Sequence, residues 1–339
     1  MRQVVMHAPG DIRVEDREDP TIIEPTDAII RVSATCICGS DLWPYRGAEP
    51  VAHQVMGHEY VGVVEQVGPQ VSTVKVGDFV VGSFWASDNT CEICQAGYQA
   101  YCVHRVLMGT IGTQSELARI PLADGTLVAT PGMPDADLIP SLLAASDVLG
   151  TGWFAAVAAQ AGPGKTVAVV GDGAVGLLGI LAAKQLGAER IIAFSRHTDR
   201  QALAREFGAT DIVQERGEEG VARVKELTGG LGAHSVIEAV GTQEAMMQAI
   251  GSTRPGGHVG FVGVSHDVTI PGEDLFMAGV HLHGGPAPVR RFLPDLIQLI
   301  WDRKIDPGKV FDLTLPLEQA AEGYQAMDQR TATKVLLTP

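Results

Sequence analysis

From Thr166 onward the chain settles into a rhythm that few folds accommodate. Thr166–Val170 is a continuous apolar run, residues 174–186 carry a helical pattern, Arg190–Phe194 is apolar again, and a second helical pattern covers Thr198–Phe207. Further strand-like runs follow at Asp211–Val213, 235–240 and 258–262, with helical stretches between them. Strands apolar on both faces that alternate with amphipathic helices predict a parallel, doubly wound sheet covered on both sides, an α/β architecture. The chain upstream is written differently. Short β-branched runs at 27–33, Tyr60–Val67 and 76–81 are separated by glycine turns, the pattern of an antiparallel barrel or sandwich. Two rhythms in 339 residues predict two domains: residues 1–149 joined by 286–339, and a parallel-sheet domain over 150–285. Residues 138–160 are alanine-rich and helical in pattern, and residues 83–110 form an excursion poor in strand signal. Beyond Pro286 one long helix is expected, and the closing Lys334-Val-Leu-Leu337 suits a strand that returns to the first domain.

The turn between the first strand and helix of the parallel sheet reads Gly171-Asp-Gly173-Ala174-Val175-Gly176. With 40 glycines in the chain, roughly half a GxGxxG match arises by chance, so the context decides. Gly150-Thr-Gly152 is a near match with no strand ahead of it, whereas Gly171 follows a five-residue apolar strand and opens a helix. There the glycines allow a tight turn, close approach of backbone to a pyrophosphate, and helix-on-strand packing. A dinucleotide is the expected ligand. The second strand ends Phe194-Ser195-Arg196-His197, with Arg200 one turn later and no carboxylate at the position that binds a ribose 2′-hydroxyl. Arg196 instead suits a 2′-phosphate, which predicts NADP(H) over NAD(H).

Bulk properties narrow the partners. A hydrophobic share of 45% with 19% charged residues is that of a compact folded chain. The net charge of −15 argues against nucleic acid or an anionic membrane. The start, MRQVVMHAPGDIRVED, has no apolar leader segment, and a cytoplasmic location is expected. Of five cysteines, Cys91, Cys94 and Cys102 are bunched; in a reducing compartment that favours a metal over disulfides.

Cys38-Gly39-Ser40-Asp41, Gly57-His58-Glu59 and Asp147 add sulfur, nitrogen and oxygen donors, a set suited to zinc with an open position. Taken singly, each residue has an ordinary structural role open to it. Together with Gly77-Asp78, the cysteine cluster and the Gly171 turn, these motifs resemble the zinc-dependent alcohol dehydrogenases of the medium-chain dehydrogenase/reductase superfamily, over nearly the whole chain. The resemblance implies a GroES-like β-barrel catalytic domain joined to a Rossmann domain. It implies Cys38, His58 and Asp147 as catalytic zinc ligands, Glu59 as a neighbour able to exchange onto the metal, and Asp41 as the carboxylate that orients the ligands. Cys91, Cys94 and Cys102 resemble the family's structural-zinc lobe, with Asp88 standing where the fourth cysteine is usual; an Asp/Cys3 zinc site is the first reading and an empty lobe the other.

By the same resemblance Ser40 is the proton-relay hydroxyl. The histidine that continues the relay in several relatives is replaced by Trp43, which predicts proton release through water or the cofactor ribose. Thr151 and Gly152 are expected near the nicotinamide and Lys334 near the pyrophosphate. Val240 and Val262 complete the candidate cofactor contacts. Trp43, Trp85, Trp153 and Phe276 are candidate pocket-lining residues for a small alcohol or carbonyl substrate. A homo-oligomer, dimer or tetramer, is expected. Competing expectations are a polyol- or threonine-type dehydrogenase, a zinc-free NADPH quinone or enone reductase, and a catalytically silent NADPH-binding protein.

Overall fold

A computed structural model describes all residues, 1–339. The chain divides into two compact units, Met1–Gly150 with Pro288–Pro339, and Thr151–Ala287. No single helix is long and apolar enough to cross a membrane.

The first unit is built on a seven-stranded sheet. Its path runs Leu127–Ala129, Phe79–Gly82, Tyr60–Val67, Ala28–Cys36, Val335–Thr338 and Leu313–Pro316, and Leu117–Ile120 also pairs with Ala28–Cys36. The run expected at 76–81 is a shorter strand, because Val76 is exposed and Gly77 turns the chain with φ near 91°. A smaller sheet joins Asp11–Asp16, Arg2–Ala8 and Gln54–Val55. Alternating side chains fill two cores, one around Val4, Met6, Ile37, Tyr324 and Leu337, the other around Ile30, Tyr60, Val80 and Ile120. The closing strand does return to this unit: Leu336 pairs antiparallel with Cys36. Two helices follow Pro286 instead of one, Val289–Trp301 and Ala320–Asp328, the second burying Tyr324 and Met327.

The second unit is a six-stranded, wholly parallel sheet in the order Asp211–Val213, Arg190–Phe194, Thr166–Val170, Ala233–Glu238, Thr253–Phe261, His281–Gly284. Val170, Ile192, Val236 and Val259 are its buried centre. The order reverses direction at Thr166–Val170, the strand that feeds the Gly171 turn. Open α/β sheets bind ligands at that switch point.

Candidate active site

The pairing of two strands brings the metal-type ligands together. Thr35 pairs antiparallel with Tyr60, so Cys38, just past one strand, and His58 and Glu59, just before the other, emerge at the same end of the sheet. Gly57 makes the bend into His58 at φ +97°, and a Cβ there would meet the Gln114 backbone nitrogen at 2.4 Å. Asp147 comes from the break between Ile139–Ala145 and Val148–Ala158, where the helical stretch expected over 138–160 bends by 47°.

Cys38, His58, Glu59 and Asp147 each place one donor atom within 4.8 Å of the others. Asp147 Oδ2 lies 3.4 Å from His58 Nε2 and 3.9 Å from Cys38 Sγ. The outer ring nitrogen, Nδ1, faces Asp41 Oδ1 at 3.6 Å. Asp41 also accepts from the Cys38 backbone N–H at 3.0 Å and from Gln114 Nε2 at 3.3 Å. A carboxylate behind a ligating imidazole fixes its orientation and raises its basicity.

Burial pushes the Cys38 thiol up, with Glu59 adding to it, and burial also pushes up Asp41. For His58 burial alone would lower the value, but Cys38, Asp41 and Asp147 outweigh it and the imidazole is raised well above its ordinary value. Groups of one sign thus crowd a single imidazole, and Glu59 Oε2 is buried without a partner. The donor set is sulfur, nitrogen and oxygen. Both facts fit a dication of the zinc type.

The other oxygen of Glu59 is committed. Oε1 accepts from Lys334 Nζ at 2.7 Å, the two side chains being 0% and 1% exposed. Lys334 Nζ also donates to the Ile37 carbonyl at 3.2 Å. The ammonium of Lys334, expected near the pyrophosphate, is thus sealed in the core beneath the acidic cluster.

Ser40 is half-buried in the short turn Gly39–Asp41, and Trp43 is half-buried in the turn that follows. The aromatic that faces His58 is Phe84, with ring centroids 6.1 Å apart. The Trp85 ring lies beside Phe84, with centroids 6.5 Å apart, and 5.3 Å from the Arg105 guanidinium, its backbone pairing Leu107 across the base of the cysteine lobe. Phe276 is 83% exposed. Phe84, Gln114 and Tyr324, whose hydroxyl lies 3.1 Å from Gln114 Oε1, were not singled out by sequence. They come from segments without a motif of their own, far in sequence from the motif residues that Phe84 and Gln114 touch.

In the lobe, Asp88, Cys91, Cys94 and Cys102 again bring one donor atom each within 4.8 Å. All three cysteines are free thiols. Asp88 is held below the ordinary carboxylate range: burial would raise it, but N–H groups of Cys91 and Thr90 and the His104 ring outweigh that.

In the second unit the Gly171 turn has the geometry its spacing implies. Gly173 caps the helix Ala174–Gln185, with Ala174 and Val175 in its first turn. A Cβ on Gly176 would lie 2.0 Å from the Gly171 carbonyl oxygen. Ser195 Oγ donates to Asp172 Oδ2 at 2.7 Å, and Arg200 lies 3.4 Å from Asp172 Oδ1. Arg196 and His197 are exposed. Asp172 was within reach of sequence reasoning, being the residue between the two glycines. Val240 is exposed and Val262 half-buried just past the ends of their strands, and Val262 N–H donates to the Glu238 carbonyl. Thr151 is buried and Trp153 half-buried on the helix that opens this unit.

Two family models match the chain, the alcohol dehydrogenase GroES-like domain over residues 24–132 and the zinc-binding dehydrogenase over 174–301. The chain is 37% identical to zinc-type alcohol dehydrogenase B of Aspergillus flavus, covering 99% of this chain and 81% of that one. It is also 37% identical to a probable zinc-binding alcohol dehydrogenase of Mycobacterium tuberculosis, over 99% and 87% of the two chains. Among solved structures, an alcohol dehydrogenase from a Thermus species superposes with a TM-score of 0.91 at 32% identity, covering 100% and 99%. With both units matched in order, the chain belongs to the zinc-dependent alcohol dehydrogenases of the medium-chain dehydrogenase/reductase superfamily.

Proposed function

We propose that this protein interconverts an alcohol and its ketone or aldehyde with NADP(H), using zinc held by Cys38, His58 and Asp147. The observation that carries the reading is the convergence of those three donors beside the unpartnered Glu59 oxygen. Zinc, when bound, supplies Lewis-acid polarisation of the substrate oxygen, and the nicotinamide supplies or accepts the hydride.

The chain's own residues do the rest. Asp41 fixes the His58 ring and, through the Cys38 N–H, the thiolate loop. Glu59 offers one free oxygen to the site while Lys334 anchors the other. Ser40 holds the proton leaving the substrate hydroxyl, and because Trp43 carries no titrating group the proton passes to water or the cofactor ribose. The Gly171 turn and the N-terminus of Ala174–Gln185 receive the pyrophosphate. Arg196, exposed and unopposed by a carboxylate at the strand end, receives the 2′-phosphate; Asp172 is already balanced by Arg200. Asp88, Cys91, Cys94 and Cys102 hold a second, structural zinc. The chain works as a homo-oligomer: His281–Gly284 is an open sheet edge, and Phe276 and Met277 stand exposed just before it.

The test is turnover of zinc-analysed protein with NADP and NAD against secondary alcohols, primary alcohols, 2,3-diols, L-threonine, quinones and enones. Chelator-sensitive turnover of simple alcohols or carbonyls with NADP is expected. Preference for NAD, for diols or threonine, or chelator-insensitive enone reduction would each overturn a stated part.

A further inference from the structure

A third group of metal-ligating side chains lies apart from both zinc-type clusters. His7, Glu15 and His53 each bring one donor atom within 4.8 Å of the others. They come from three segments of the first unit. His7 falls at the bulge between Met6 and Ala8 on the strand Arg2–Ala8, and bulges re-aim side chains. Glu15 is on the partner strand, and His53 precedes the short strand Gln54–Val55 that pairs with Arg2–Ala8 on its other side.

His7 Nε2 is 2.6 Å from Glu15 Oε1, and His53 Nε2 is 3.7 Å from Glu15 Oε2. Two ligands on a tetrahedral zinc at roughly 2.1 Å stand about 3.4 Å apart, between those two values. The imidazole rings meet edge-on, with centroids 4.6 Å apart and planes at 79°. An ion pair needs one histidine; here two imidazoles share one carboxylate. Arg17 Nη1 lies 3.5 Å from both His53 Nε2 and Glu15 Oε2, so a cation already stands at the edge of the group. The Arg17 side chain is 38% exposed and free to withdraw.

We propose that His7, Glu15 and His53 bind a divalent transition metal of the zinc, nickel and copper class. Two imidazoles and one carboxylate suit those ions over magnesium or calcium. Remaining positions go to water, because the site is open to solvent. The ion would tie the loop ahead of His53 to the N-terminal hairpin. That loop lies between Cys38 and His58 in the chain, so the ion stiffens the connection between two active-site segments without touching them. The inference is independent of the proposed activity.

The test loads the zinc-replete enzyme with Ni²⁺, removes free metal by gel filtration, and counts nickel and zinc per chain by mass spectrometry. His53→Asn keeps a residue that tolerates the left-handed backbone at φ 50° but is too short to ligate, and Glu15→Gln removes the charge in nearly the same shape. Wild type should hold one nickel per chain with its zinc unchanged, and both variants at least tenfold less, with turnover before nickel addition unaltered. No nickel on wild type, equal uptake by the variants, or uptake matched by zinc release would overturn the proposal.

Discussion

Replacing Lys334 with methionine tests the sealed ion pair that this lysine makes with Glu59. The ammonium is 2.7 Å from Glu59 Oε1, with both side chains essentially inaccessible. Methionine fills the space of the stem but leaves a buried carboxylate whose second oxygen already lacks a partner. Breaking a buried pair from one side costs about 3–5 kcal/mol, whereas exchanging both members for apolar residues is often neutral or better. Lys334→Met is therefore expected to lose about 3–5 kcal/mol, and Lys334→Met with Glu59→Leu to recover most of it. The assay is urea unfolding at pH 7 of zinc-stripped protein, so that no bound cation substitutes for the ammonium. Tryptophan fluorescence suits it, because Trp43, Trp85 and Trp301 lie in the first unit and only Trp153 in the second. A loss below about 1 kcal/mol for the single variant, or a double variant no more stable than the single, would refute the argument.

Three further outcomes follow from single contacts. Arg196→Ala should lower kcat/KM with NADP by about 10- to 100-fold, the worth of a charge-assisted phosphate contact, and leave NAD kinetics unchanged; equal effects on both coenzymes would remove Arg196 from the site. Gly176→Ala should weaken coenzyme binding at least tenfold in calorimetry, because its Cβ would sit 2.0 Å from the Gly171 carbonyl oxygen, while unfolding of the first unit is unaltered. Asp124 accepts from the N–H and hydroxyl groups of Ser72 and Thr73, and although burial alone would raise its pKa, these bonds lower it. A depressed folded value means stability that is present above the unfolded pKa near 3.9 and fades as pH falls through the folded one. Asp124→Asn should thus cost roughly 1–3 kcal/mol at pH 7 and progressively less below pH 4, and a pH-independent difference would contradict the assignment.

The parallel sheet is legible because five of its six strands declare themselves locally, the edge strand His281–Gly284, with two histidines in four residues, being the one that does not. Thr166–Val170, Arg190–Phe194 and Asp211–Val213 are apolar runs bounded by turns, and they occur where the pattern puts them. The strand begun at Thr253 was read as starting at His258, because Pro255, Gly256 and Gly257 hide its first half. The break at Ser146 and Asp147 was invisible in an alanine-rich stretch, although it is what projects Asp147. The clustering of Cys38, His58 and Asp147 was suggested by residue chemistry and family resemblance, but not by spacing, since strand pairing and a helix break perform it. The burial of Lys334 is not legible, because a lysine directly before the closing strand Val335–Thr338 carries no local sign of it. Nothing local reveals that Glu59 waits beneath it. Phe84 is missed for a similar reason: its ring meets His58 across a long stretch of chain, and no local pattern marks that contact.

The central claim is that Cys38, His58 and Asp147 hold the zinc on which turnover depends. The most direct measurement compares wild type and Cys38→Ser for zinc per chain, NADPH affinity and turnover with the best alcohol–carbonyl pair. The account predicts one zinc fewer per chain, coenzyme affinity within about twofold, since the Gly171 turn lies in the other unit, and turnover at background. Full zinc content with turnover retained would contradict it.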